Sequence, residues 1–166
     1  MPEADLPEGD PRNEAAEYFR RAYELQLAGE FQQAIDLYTL SIETFATGIA
    51  YTFRGWTYSN LGDYERAIAE CEEAIRVDPD LGNPYNDIGA YLIEQGKWDE
   101  AVPWLERAIQ AKRYDARCFP LFNLGRVHEH RHEWEKAKEY YGKAYSFDQR
   151  YGAALEGMQR MKAMFN

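Results

Sequence analysis

The stretch "YTFRGWTYSNLGDYERAIAECEEAI", residues 51–75, places small and apolar residues three and four apart on both sides of a Leu-Gly-Asp turn. That spacing is the period of an α-helix. It runs through Tyr51, Gly55 and Tyr58 before the turn, and through Tyr64, Ala67, Ile68, Cys71, Ala74 and Ile75 after it. The stretch therefore reads as two helices folded back on each other. Gly62 stands where a left-handed residue would end the first helix, a conformation that costs least in glycine. Asp63 follows at the start of the second helix, where a carboxylate satisfies free backbone amides. Gly55 and Ala67 are small enough to let the two backbones approach.

The same pattern recurs on either side. "YFRRAYELQLAGEFQQAIDLYTLSI" begins at Tyr18, "YNDIGAYLIEQGKWDEAVPWLERAI" at Tyr85 and "LFNLGRVHEHRHEWEKAKEYYGKAY" at Leu121, so successive offsets are 33, 34 and 36 residues. Each copy has a small residue fifth (Ala22, Gly55, Gly89, Gly125), an aromatic after the turn (Phe31, Tyr64, Trp98, Trp134) and an alanine three residues later (Ala34, Ala67, Ala101, Ala137). Gly29, Gly62 and Gly96 mark the turns, and His132 takes that place in the last copy. Pro79 stops a helix, while Pro84 and Pro120 suit the first turn of the next. Pro103 falls inside a helix and is predicted to bend it. In the closing "YGAALEGMQRMKAMFN", Ala154, Leu155, Met158 and Met161 share one helical face, which predicts a ninth helix covering the flank of the last copy.

Composition narrows the function classes. Hydrophobic residues make up 45% and aromatics 15%, enough for a packed core. The formal net charge of -10 disfavours nucleic acid and anionic membranes as partners. No apolar run is long enough to span a bilayer, so no membrane insertion is expected. Residues 1–13, with their prolines and acids, are expected to form a disordered acidic leader. They lack the basic segment and apolar core of a signal peptide. Cytoplasmic localisation is the expectation, or periplasmic if a signal segment has been removed. Cys71 and Cys118 stand apart, with no metal spacing, and are expected as buried reduced thiols.

"HEHRHE", residues 128–133, contains the H-E-x-x-H pattern of helical zinc sites. Such a site needs both imidazoles on one continuous helix, a third ligand and an open position. Here His128 aligns with Tyr58 and Leu92 near a helix end, and His132 aligns with the turn glycines. The phase thus argues against a metal-dependent hydrolase through His128, Glu129 and His132. It predicts His128 as a partly buried packing residue and His130 and His132 as surface groups. No phosphate loop, nucleophile elbow or paired-cysteine motif occurs, so neither catalytic residues, a metal nor a cofactor is expected.

The four phased copies resemble the tetratricopeptide repeat (TPR). The second copy carries the signature as Tyr51-x-x-Arg54-Gly55-x-x-Tyr58, Ala67-x-x-x-Cys71 and Pro79; the third carries Tyr85-x-x-Ile88-Gly89-x-x-Leu92 and Ala101-x-x-x-Leu105. The resemblance implies an all-α, right-handed superhelical solenoid of four helix pairs plus a C-terminal capping helix. It implies a single domain over 14–166, with repeats at about 15–47, 48–81, 82–117 and 118–151 and the cap at 152–164. The run from Tyr85 and the longer link "AKRYDARCFP" are also similar to bacterial TPR proteins of the pilus-assembly and secretin-pilotin kind.

The family binds partners on a concave face lined by the first helix of each repeat. By phase, the residues on that face include Phe19, Arg20, Tyr23 and Gln26; Ile49, Thr52, Phe53, Trp56 and Asn60; Asn83, Asn86, Asp87, Ala90 and Glu94; and Phe119, Phe122, Asn123, Arg126 and Glu129. Of these, Phe19, Arg20, Tyr23, Phe53, Trp56, Asn83, Asn86, Phe119, Phe122, Asn123 and Arg126 are the candidate partner-binding residues. Aromatics can anchor an apolar ligand, and Asn and Arg can hold a peptide backbone or carboxylate. The carboxylate clamp of chaperone-binding members is absent, because its positions hold Phe19, Tyr23, Phe53, Asn83 and Asp87. The expected function is a non-catalytic scaffold that grips a peptide segment of a partner during assembly of a larger complex. A pilotin-like pilus or secretin assembly factor and a self-associating array are the alternatives. The protein itself is expected as a monomer or weak homo-oligomer.

Overall fold

The computed structural model describes residues 9–165. These residues form nine helices: α1 Pro11–Leu27, α2 Phe31–Thr44, α3 Gly48–Asn60, α4 Tyr64–Val77, α5 Asn83–Glu94, α6 Trp98–Gln110, α7 Cys118–His130, α8 Trp134–Phe147 and α9 Gly152–Ala163. No strand occurs among them, and one isolated parallel bridge joins Leu81 to Arg113. Of the expected leader, residues 1–8 lie outside the described residues. The expectation fails for the remainder. Asp10 caps α1 by accepting from the Arg12 amide at 2.9 Å, and Pro11 occupies the first helical position. Proline is free of cost there, because its missing N–H would have had no helical acceptor.

The four hairpins share one turn. Gly29, Gly62 and Gly96 have φ of 83°, 77° and 76°, and His132 follows with φ 59°. In each turn the amide one residue further on reaches back to close the helix: Glu30 N–H donates to Leu25, Asp63 to Tyr58, Lys97 to Leu92 and Glu133 to His128, at 2.8–3.0 Å. This is the six-to-one closure that satisfies orphan carbonyls at a helix end.

Small residues of each first helix meet large ones of the second. A Cβ on Gly89 would lie 2.5 Å from Leu105, and one on Gly125 would lie 2.6 Å from Tyr141. On Gly55 it would meet the Ala67 carbonyl at 3.0 Å. Ala22, with Tyr38 and Ala34, forms the equivalent buried cluster of the first hairpin. Ala34, Ala67, Ala101 and Ala137 are all fully buried. The repeat alanines therefore mark the lines along which paired helices touch.

The chain divides into two compact units, Met1–Pro79 and Asp80–Asn166. The first holds α1 to α4, and its hairpins are tied by Arg54. This guanidinium donates to both Glu70 oxygens at 2.8 and 3.0 Å and to Thr39 Oγ1 at 3.0 Å, so one side chain of α3 grips α4 and α2. The second unit holds α5 to α9. Its longer link after α6 is fixed by Arg117, which donates to the carbonyls of Ile109 at 2.9 Å, Ala111 at 2.6 Å and Tyr114. Tyr114 packs on Gly82, whose N–H donates to the Arg113 carbonyl at 3.0 Å. At the far end Gly157 of α9 leaves room for Tyr141, where a Cβ would lie 2.8 Å from the ring. Ala154 and Met161 of α9 are buried, while Leu155 and Met158 are half-buried.

Candidate functional site

In the first unit α1 and α3 bring four aromatics together. Phe53 packs edge-on against Phe19 at 5.1 Å, Tyr23 at 5.6 Å and Trp56 at 5.6 Å. Phe19 and Phe53 are half-buried against the Ala22, Ala34 and Tyr38 cluster. Tyr23 and Trp56 remain 36% and 39% exposed. The four thus divide into a floor, Phe19 and Phe53, and an exposed pair above it. Arg20 is exposed and paired along its own helix with Glu17 and Glu24, both at 2.7 Å. Thr52 does not face outward as the phase suggested: it is 2% exposed, and its hydroxyl donates to the Gly48 carbonyl. Gln26 is also buried, accepting from the Tyr38 hydroxyl at 2.8 Å and donating to Asn60 at 3.1 Å.

In the second unit the corresponding face is polar and hydrogen-bonded. Asn123 of α7 donates to Asn86 of α5 at 3.2 Å, and Asn86 donates to Asp87 at 3.2 Å. Arg126 donates to Asn123 at 3.3 Å and to Glu94 at 3.0 Å. Asn86 and Asn123 are each 7% exposed, so these amides are more occupied than a free groove residue would be. Asn83 is half-buried at the first position of α5. Burial pushes the Asp87 carboxyl up to about 7, against the lowering effect of its Asn86 hydrogen bond.

Phe119 is exposed and Phe122 half-buried, and both pack edge-on against Tyr151, at 5.2 and 5.1 Å. Nearby, a cleft of about 320 Å³ is lined by Trp98, Phe122, Arg126, Glu129, Tyr141 and Arg160, among others. Arg160 of α9 holds Glu129 at 2.9 Å, and the Tyr141 hydroxyl donates to the same carboxylate. Burial tends to raise Glu129, but the Arg160 and Tyr141 hydrogen bonds outweigh it and hold the carboxyl below its usual range. Arg160 and Tyr151 are not among the candidates read from the sequence, since Arg160 lies beyond the four repeats and Tyr151 at the very end of the last, past its second helix. Helical phase along α9 is the signal that could have found Arg160.

The histidines are accounted for by packing. His128 lies in the last turn of α7, hydrogen-bonded through Nδ1 to Glu133 and stacked on Tyr140 at 5.1 Å. His130 is exposed and stacks on Trp98 at 4.2 Å. His132 is exposed, lies beyond the helix in the left-handed turn and meets Trp134 edge-on. His128 and His132 therefore do not share a helical face. Among the described residues no three His, Cys, Asp or Glu side chains gather as metal ligands.

Two family models match the chain, each described as a tetratricopeptide repeat, over residues 49–81 and 80–150. The chain belongs to the tetratricopeptide-repeat family. A TPR relative from Saccharomyces cerevisiae, small glutamine-rich tetratricopeptide repeat-containing protein 2, is 31% identical over 115 residues, 64% of this chain and 32% of the relative. This chain spans about a third or less of the first curated relatives that it matches. Among solved structures, PilF of Pseudomonas aeruginosa superposes with a TM-score of 0.82 at 23% identity, covering 90% of this chain and 68% of PilF. PilW, described as a widely conserved type IV pilus biogenesis factor, superposes with 0.81 at 16% identity, covering 90% of this chain and 69% of PilW. These two likenesses establish the TPR fold.

Proposed function

We propose that this TPR protein is a non-catalytic interaction scaffold that binds a peptide segment of a partner protein on its first-helix faces, in the assembly of a larger complex. The observation that carries the reading is the aromatic group on α1 and α3. Phe19 and Phe53 form a packed floor, and Tyr23 and Trp56 stand exposed upon it. Large aromatics held rigidly with one surface in water lose little conformational entropy on binding and dominate measured hot spots.

The test is selection of peptides from a displayed random library against the immobilised protein, followed by affinities for wild type and Trp56→Ala. Truncation of Trp56 is expected to cost at least about 2 kcal/mol of binding. Selected peptides whose affinity is indifferent to Trp56 would remove the reading's centre. A narrower reading, a pilus-assembly factor, has the fold likeness to PilW behind it. Loss of surface pili on deletion of the gene supports it, and normal piliation counts against it.

A further inference from the structure

Several charged side chains on and beside the first-helix faces are paired within the protein. Arg20 holds Glu17 and Glu24, Arg126 holds Glu94, and Arg160 holds Glu129. Asp87 of α5 differs. Among the described residues its carboxylate accepts one side-chain hydrogen bond, from Asn86, and has no cation beside it. An ionised carboxylate offers on the order of four acceptor sites, so most of its capacity is unspent.

The surroundings fix which atoms face that carboxylate. Arg126 occupies the Asn123 oxygen, so Asn123 presents its nitrogen to Asn86. The Asn86 oxygen is thereby used, and its nitrogen turns to Asp87. A directed chain of three hydrogen bonds thus begins at a guanidinium of α7 and ends on a carboxylate of α5. Its terminal acceptor is half-buried and unneutralised, which is a costly arrangement for a carboxylate. Burial accordingly raises its pKa to about 7.

The neighbouring titratable groups do not relieve it. Tyr114, in the link after α6, is itself raised, first by burial and then by the charge of Asp87, and so is neutral near pH 7. Cys118, at the start of α7 beside Tyr114, is likewise raised by burial. Arg117 spends its guanidinium on three carbonyls. Glu94, two turns along α5, is held by Arg126.

We propose that Asp87 receives a cation of a bound partner: a lysine or arginine side chain of a peptide segment docked on the α5 and α7 face of the second unit, beside Asn86 and Asn123. The assignment rests on the peptide-binding reading above and adds the chemistry of one ligand position. The chain's net charge of -10 acts in the same direction, drawing basic segments toward the protein. The cation supplies the counter-charge that the fold withholds, and the bound carboxylate is ionised.

The probe is a positional-scanning set of acetylated, amidated nonapeptides with Lys, Arg, Glu or norleucine fixed at each position in turn. Binding is read by fluorescence polarisation with wild type, Asp87→Asn and Trp56→Ala. At one position Lys or Arg is expected to improve wild-type affinity about tenfold, the size of one charge-assisted contact. Asp87→Asn keeps an acceptor for Asn86 but no charge, and is expected to lose that preference while still binding norleucine peptides. The wild-type preference is also expected to shrink as pH falls from about 8 to about 6, with no such change in the variant. An independent readout is the carboxyl carbon NMR titration of Asp87, whose midpoint is expected to fall when the lysine peptide is saturating. A preference retained by Asp87→Asn, or a midpoint that does not move, overturns the assignment and leaves peptide binding standing. A wild type that binds no member of the set overturns the assignment together with the reading beneath it.

Discussion

The first-helix faces of the two units occupy the same helical phase and differ in what lies at their centre. In Met1–Pro79 the face is aromatic: Phe19 and Phe53 are floor, Tyr23 and Trp56 stand above. In Asp80–Asn166 it carries, beside Phe119 and Phe122, a chain of polar groups running from Arg126 through Asn123 and Asn86 to Asp87. The repeat dictates where a side chain points. It does not dictate how much of that side chain's bonding capacity is left over. For the aromatic face the leftover is apolar area on two rings. For the polar chain of the second unit it is the lone pairs of one carboxylate.

The aromatic face is most sensitive at its floor. Phe53→Ala is expected to destabilise the protein by about 2–3 kcal/mol in chemical denaturation, because a half-buried ring leaves four aromatic neighbours unsupported. Trp56→Ala is expected to cost less than about 1 kcal/mol, since the exposed ring leaves no cavity. Equal losses would mean that floor and exposed pair are not distinct. On the polar face, Asn123→Ala is expected to cost about 1–2 kcal/mol, because Asn86 loses its donor and Arg126 an acceptor. An unchanged denaturation midpoint would show that the hydrogen-bonded chain does not hold in solution.

One effect is expected to depend in size on pH. The folded pKa of Asp87, about 7, lies above that of an unfolded aspartate. Its contribution to stability is therefore fully present below the unfolded value and is lost as pH rises through the folded one. Asp87→Asn is expected to match wild type near pH 4 and to exceed it near pH 8 by on the order of 1 kcal/mol, allowing for solvent screening. A variant no more stable at the higher pH would show that the carboxylate is well solvated, and the two faces would then differ less than described.

The helix pairs were legible because their signals are local. Glycine at three turns, alanine on the contact line and aromatics after the turn all act within one hairpin. His132 was legible for the same reason, since its place in the phase outweighs the metal-like spelling around it. The start of α1 was misread because proline and acid count as disorder in composition. In order, Asp10 then Pro11 are a cap and a first helical residue. The faces were less legible. Phase brought Asn86 and Asn123 to one side, but their mutual hydrogen bond spans 37 residues and is invisible to any local pattern. Arg160 reaches the last repeat from α9, outside the repeated segments altogether, and Tyr151 does so from the position that caps α9.

One consequence follows from the link after α6. Residues 111–117 form the longest connection between consecutive helices in the second unit and hold three trypsin sites, at Lys112, Arg113 and Arg117. A protease needs several residues free to extend into its cleft. Here the carbonyls of Ala111 and Tyr114 are held by Arg117, Arg113 N–H donates to the Asp80 carbonyl, and the Tyr114 ring is buried. The connection that looks most open to digestion is stapled on both sides, so nicking there reports unfolding of the second unit rather than the reach of a loop.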